Sequence, residues 1–388
     1  MNEDFVLLRP AWVEIDLDNL KKNYEIIRKR VKDKKIISVV KADAYGHGAV
    51  EIAKELETLG SDYLAVATLE EGMELRINGI SKPILIFGYI FPKQVNYILD
   101  FSLIPTIYSL DFARELNNLC EIRKEKVKVH IKIDTGMGRV GVLWQDSVDF
   151  IKNVMKFKNL IIEGLYAHFS TADEKDKAFS KIQFERFQKV VDSLKKEGIE
   201  IPFKHHGNSA TVIDLPQYIL DGVRCGIMLY GLKPSREIKN INLHPVMSIK
   251  AKLIFIKNVP ENTPISYGRK YYTKKESTIG TLPLGYADGY PRLLSNKGIV
   301  IYRGERVRVV GTVTMDQIMI DVSKFENPQV GEDVIILGKN GKEEVSADEI
   351  AKKCRTINYE IVMRIGKRMP KVYIKNGEVI KIKSLLDW

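Results

Sequence analysis

Between Lys35 and Arg224 the chain runs through eight short apolar segments rich in β-branched residues, set between longer stretches with helical spacing. This alternation restricts its fold more than any other feature. The segments are 35–40, 63–67, 83–87, 103–107, 127–133, 161–167, 203–206 and 221–224. At four to seven residues they have the length of strands, and their near-continuous apolar character is that of strands buried on both faces. The stretches around them show the other period. Leu17, Leu20, Tyr24, Ile27 and Val31 recur at three and four positions behind an Asp16 or Asp18 that can cap a helix, and 70–78 and 178–196 also read as helices. Alternating strand and helix signals predict an α/β fold with an N-terminal (β/α)8 TIM-type barrel; an open doubly wound sheet is the second reading.

After about residue 243 the texture changes. Partly alternating runs at 246–254, 306–310, 318–320 and 334–337 sit among glycine turns, the pattern of a C-terminal mostly β domain. The expected division is therefore a barrel at 14–243 and a β domain at 244–388, joined by the N-terminal segment 1–13. No internal repeat or low-complexity linker separates them, so the two are expected to pack together.

Composition excludes several classes of function. A formal net charge of +11 would suit nucleic acid, but the basic residues sit beside glutamates throughout and form no long run or arginine-rich arm, so the charge reads as a solvated surface. Three distant cysteines, Cys120, Cys225 and Cys354, make neither a disulfide framework nor a metal spacing and suit a reducing cytoplasm. Met1-Asn2-Glu3-Asp4-Phe5 is acidic where a signal peptide is basic, and no apolar run is long enough to span a bilayer; neither export nor membrane insertion is expected. His205 and His206 are strand neighbours that point to opposite faces, so no metal site is expected.

Parallel barrels build their active sites at the C-terminal ends of the strands. The first segment ends at Lys41, followed by Ala42-Asp43-Ala44-Tyr45-Gly46-His47-Gly48. A lysine at a strand end is ordinarily a solvated group. At the mouth of a low-dielectric barrel it loses its proton more readily and can serve as a Schiff-base amine or proton acceptor. The seventh segment ends at His206-Gly207-Asn208-Ser209 and the eighth at Arg224-Cys225-Gly226-Ile227, where barrels often bind phosphate. Gly207 alone would be an ordinary turn glycine; the combination carries the signal.

The stretch from Val39 to Gly48 resembles the signature of the alanine racemases, and the resemblance extends from Arg9-Pro10-Ala11-Trp12 to Arg368-Met369-Pro370. It implies a homodimeric, pyridoxal 5'-phosphate-dependent isomerase that interconverts L-alanine and D-alanine and supplies D-alanine for peptidoglycan. By that resemblance Lys41 would carry the cofactor and serve as the base for D-alanine. Tyr267, in Ile265-Ser266-Tyr267-Gly268-Arg269, would reach the active site of the other subunit as the base for L-alanine. Two bases are needed because one base returning its proton to the same face gives no inversion. Taken alone, Tyr267 is a loop tyrosine beside glycine. A phenol must be helped to give up its proton, a task for His168 and, through it, Arg224.

The family pattern further puts Tyr45, Ser209, Tyr359 and the amides of Gly226 and Ile227 around the phosphate, with Asn208 beside them, and Arg224 against the ring nitrogen. A guanidinium does not readily give up a proton, so the cofactor would be a weaker electron sink than one paired with aspartate. Arg139 would meet the substrate carboxylate, Met315 and Asp316 would line the entrance, and Tyr286 would narrow it to the size of alanine. The counterpart of Lys132 is carbamylated in many family members, and a lysine pointing into a barrel is costly unless neutralised. Thr314, Met363 and Met369 depart from the residues frequent at their positions and bear on local packing. Other readings stay open: a non-catalytic pyridoxal-phosphate homeostasis barrel, a decarboxylase of the same two-domain plan, and a racemase for serine or a broader set of amino acids. The second domain, with Tyr267, Tyr286 and Met315, argues against the first, and Arg224 at the ring nitrogen against the second.

Overall fold

The computed structural model describes residues 7–238 and 241–387; the acidic stretch Met1–Phe5 lies outside them. The eight apolar segments form one parallel sheet whose order follows the chain: Lys35–Val39, Tyr63–Val66, Ile84–Ile86, Ile104–Ile107, Val127–Asp134, Leu160–Tyr166, Phe203–His205 and Gly222–Cys225. The last pairs with the first, Val223 opposite Ile36 and Arg224 opposite Ile37. The seventh strand breaks at His206. Its first part pairs with Leu160–Tyr166, and Gly207–Asn208 pairs with Gly222–Cys225, which leaves a nearly closed barrel.

The helical stretches form for the reasons their spacing gave. In Leu17–Val31 the stripe Leu17, Leu20, Tyr24, Ile27 and Val31 is buried to the last residue, and the Asp16 carboxylate accepts the Asn19 N–H at 2.8 Å. Leu69–Ile77 opens on a capping box in which Thr68 and Glu71 each satisfy the other's backbone. Each buried aliphatic side chain contributes roughly 1.5–3 kcal/mol.

Two compact units result. One comprises Lys21–Ala44 with Ala49–His244 and holds the barrel. The other comprises the chain before Lys21, the short insert Tyr45–Gly48, and everything from Pro245 onward. Its sheet has eleven strands among the described residues, all antiparallel save one pair. Ala11–Asp16 lies inside this sheet, antiparallel to Met247–Lys252 and parallel to Lys371–Lys375. Val259, Ile265, Ile279 and Val310 form an apolar cluster within the unit. Among the described residues no helix is long and apolar enough to cross a membrane.

Candidate active site at the C-terminal ends of the barrel strands

Lys41 follows the first strand directly, at the start of a turn whose backbone is left-handed. Ala42, Asp43, Ala44 and Tyr45 have φ between 52° and 55°, continued by Gly46 at 83°. Each non-glycine residue so held costs roughly 1–2 kcal/mol, a strain that persists only where surrounding bonds impose it. Those bonds are present. The Ala42 N–H donates to Glu71 Oε1 at 2.6 Å, the Ala44 N–H to the Val40 carbonyl at 2.9 Å, and the Ala49 N–H to Asp43 Oδ1 at 2.8 Å. His47 Nδ1 holds the Tyr45 carbonyl at 2.9 Å. At Lys41 itself burial, reinforced by the charge of Arg139 and opposed by that of Glu71, moves the amine below the ordinary lysine range.

The strand Val127–Asp134 contributes Lys132 and the loop to Arg139. Lys132 is buried with its Nζ 4.8 Å from the centre of the Tyr166 ring. Burial first, then the charges of Arg224 and Arg139, push its pKa far down against the pull of Asp134. Asp134 closes the loop beyond it, with Oδ1 accepting the N–H groups of Gly136, Met137 and Gly138 at 2.8, 2.9 and 3.2 Å. Gly141 is required there, since its φ is 125° and a Cβ would press on Lys132 and the Asp134 backbone.

Arg224 is the hub of the barrel interior. One terminal nitrogen donates to His205 Nδ1 and to the His205 carbonyl, both at 2.8 Å. The other donates to Ala167 O at 2.7 Å, His168 Nδ1 at 3.0 Å and His206 O at 3.1 Å. Among the described residues its Nε–H donates to none, so it is the donor left for a ligand. Burial lowers the guanidinium to about 10. His168, His205 and His206 are driven well below the usual histidine range by burial and by Arg224, so all three are neutral at pH 7. The two neighbouring histidines point apart: His205 joins this network, and His206 stacks on Phe169 at 3.8 Å.

Ser209 and Gly226 meet at the ends of the seventh and eighth strands, where the Gly226 N–H donates to Ser209 Oγ at 3.2 Å. Asn208 is the N-cap of Ser209–Asp214, its side chain accepting the Thr211 N–H at 3.1 Å, so it sets Ser209 in place. Ile227 is buried beside Gly226.

The remaining candidates lie in the sheet unit. Tyr45 and Tyr359 face each other there with ring centroids 6.1 Å apart. Tyr267, 74% exposed, is fixed through its carbonyl, which accepts the Thr312 hydroxyl at 2.8 Å. The Tyr286 and Ala287 amides donate to the carbonyls of Thr314 and Met315 at 3.0 and 3.1 Å. Asp288 is buried between Arg9 at 2.7 Å and Arg368 at 3.5 Å, and Arg368 also holds Asp316 at 2.7 Å. These bonds bring Tyr286, Met315 and Asp316 together, with Tyr286 and Met315 exposed. Among the described residues no cluster of three or more His, Cys, Asp or Glu side chains could hold a metal ion.

Residues 15–234 match the alanine racemase N-terminal domain and residues 246–373 the alanine racemase C-terminal domain. The chain belongs to the alanine racemase family. It is 48% identical to the alanine racemase of Halothermothrix orenii over 95% of this chain and 97% of that one. The alanine racemase of Clostridium difficile 630 superposes with a TM-score of 0.94 at 42% identity, covering 98% of this chain and all of that one. The alanine racemase of Bacillus anthracis with bound L-Ala-P gives 0.92 at 37% identity, covering 99% and 100%.

Within this alanine racemase framework several positioning residues escaped sequence reasoning. Glu71 could have been found only as the fourth member of a Thr-x-x-Glu capping box; nothing in its spacing announces the second bond to Ala42. Asp288 and its two arginines are separated by up to 359 residues in the chain, counting Arg9 to Arg368, and their pairing is invisible without the sheet.

Proposed function

We propose that the chain interconverts L-alanine and D-alanine using pyridoxal 5'-phosphate, with D-alanine serving peptidoglycan synthesis in the cytoplasm. The observation that carries the reading is the barrel-mouth set of a lysine poised to lose its proton and an arginine with one uncommitted donor, Nε, beside a hydroxyl–amide pair suited to phosphate. The barrel's donor set fits the cofactor: Lys41 for attachment, Arg224 Nε for the ring nitrogen, and Ser209, Gly226 and Ile227 for the phosphate; the family pattern would add Tyr45 and Tyr359. Bound there, pyridoxal phosphate would supply the electron sink that makes the alanine Cα–H acidic.

The chain's own residues then do the rest. Arg139 orients the substrate through its carboxylate, and Met315, Asp316 and Tyr286 restrict entry to something small. Lys41 Nζ removes or returns the Cα proton on the face used for D-alanine, and Tyr267 of the partner subunit serves the face used for L-alanine. A phenol standing in open water has little selectivity as a base, and the 74% exposure of Tyr267 supports a homodimer in which the second chain covers it. A guanidinium can only donate, so the bond from Arg224 fixes His168 with its proton on Nε2, a donor for the tyrosine oxygen when that oxygen carries charge. Burial and the neighbouring charges of Arg224 and Arg139 lower the pKa of Lys132 and favour its unprotonated amine. Its attack on carbon dioxide, with loss of one proton, gives a carbamate anion facing the charges of Arg224 and Arg139, the counter-ion that the buried Arg224 lacks among the described residues.

The test is hydrogen exchange at Cα in D2O with each alanine enantiomer. Wild type should racemise. Lys41→Ala should lose the visible band of the bound cofactor and turnover together, whereas Tyr267→Phe should keep the band and lose inversion by about 10²–10⁴-fold. Cofactor binding by wild type without exchange would replace this reading with that of a carrier.

A further inference from the structure

A run of hydrogen bonds leads from Arg224 through His205 and His130 to Glu163. His205 Nε2 lies 2.9 Å from His130 Nδ1, and His130 Nε2 lies 3.4 Å from Glu163 Oε2, whose other oxygen takes Lys128 Nζ at 2.6 Å. Arg224 sets the direction. Because a guanidinium only donates, His205 Nδ1 must be bare, and a neutral ring then carries its proton on Nε2. That proton points at His130 Nδ1, which must in turn be bare, so His130 carries its own proton on Nε2, facing the carboxylate. A protonated His205 would set N–H against N–H at Arg224, and a protonated His130 would do the same at His205. Only one arrangement satisfies every bond.

The neighbours hold that arrangement in place. The His205 ring is stacked on Tyr166 at 4.8 Å with an angle of 8°, and a Cβ on Gly164 would collide with the His130 ring. Burial keeps His205 and His130 neutral. Burial alone would raise Glu163, but the bonds from His130 and Lys128 outweigh it and hold the carboxyl at about 2. Glu163 is thus an anion at one end of a run of donors that begins at Arg224.

We propose that Glu163, His130 and His205 form a one-way relay that locks the Arg224 guanidinium in a single orientation with Nε free for the cofactor's ring nitrogen, making Glu163 a positioning residue of the reaction. This rests on the function proposed above. The relay explains why two histidines are wholly buried in a barrel whose interior apolar side chains would fill at less cost, with Glu163 partly buried at its end.

The test uses holoenzyme labelled with 15N at histidine. His205 and His130 should each show a protonated Nε2 and a bare Nδ1; a protonated Nδ1 on either would overturn the relay. Glu163→Leu should lower kcat about tenfold in both directions with KM for alanine unchanged, and Glu163→Gln, which restores an acceptor oxygen for His130, should recover most of the loss. Native kcat in Glu163→Leu, or a loss confined to KM, would overturn the proposal. Should Glu163→Leu fail to fold, the tautomers of the wild type still decide. A wild type with these tautomers but no alanine turnover would overturn the reaction assigned above while still supporting the relay.

Discussion

The two units bury charge in opposite ways. In the sheet unit the buried carboxylate of Asp288 is matched by Arg9 at 2.7 Å and Arg368 at 3.5 Å, beside a small cavity lined by Ile249, Leu284, Ile336 and Ile361. In the barrel, Lys132 and Arg224 are buried without such pairing among the described residues. Asp134 is committed to three loop amides, and Glu163 reaches Arg224 only through two histidines. Matched burial holds a scaffold together. Unmatched burial lowers the pKa values of Lys41, Lys132 and His168 and so favours their neutral, proton-accepting forms.

The largest effect that would break this comparison is in the scaffold. Asp288→Ala leaves Arg9 and Arg368 without their buried partner and removes the acceptor of the Gly285 N–H. Losing one member of such a set costs about 3 kcal/mol or more, so thermal unfolding of the purified variant should begin several degrees lower. An unchanged unfolding curve would show that the pairing is not what holds the Tyr286 turn.

The opposite outcome is expected at Lys132. Its folded pKa lies far below its unfolded value, so between the two the unfolded chain binds the extra proton, and stability rises with pH. Lys132→Met removes that penalty. In carbonate-free buffer the variant should match or exceed wild-type stability at pH 7, and the difference should shrink as pH climbs towards 10. Its kcat/KM should nonetheless fall, since Arg139 loses its neighbour. Adding bicarbonate should stabilise wild type and leave the variant unmoved; a variant less stable than wild type at every pH in carbonate-free buffer would mean the amine is matched after all.

How legible each unit was in the sequence follows the same divide. The barrel could be read because its strands are local signals: each apolar run is a strand, each stripe such as Leu17 to Val31 a helix, and the strand ends name the site. What stayed hidden depends on bonds across the fold. The strand Ala11–Asp16 belongs to a sheet whose other members begin at Met247, and the alternation in Ala-Trp-Val-Glu-Ile-Asp does not say with which partners. The left-handed turn after Lys41 falls on Ala42, Asp43, Ala44 and Tyr45, of which only Asp43 has any leaning towards that region; bonds to the distant Glu71 and between Asp43 and Ala49 impose it. The glutamate end of the histidine relay was likewise unreadable, since Glu163 and His130 sit on neighbouring strands with nothing in their spacing to connect them.

The smallest effect sharpens the role of Asn208, which the family pattern puts beside the cofactor and the structure uses as a helix cap. As a cap it fixes the first turn of Ser209–Asp214 and hence the angle of the Ser209 hydroxyl at the Gly226 amide. Asn208→Ala should cost about 1 kcal/mol of stability and loosen pyridoxal phosphate by a few-fold, measured by titrating apoenzyme with cofactor. Serine caps a helix as well as asparagine but reaches less far. If capping is the whole of the role, Asn208→Ser restores both stability and affinity; if stability returns and affinity does not, the amide itself contacts the cofactor, and the division between scaffold and chemistry runs through this one side chain.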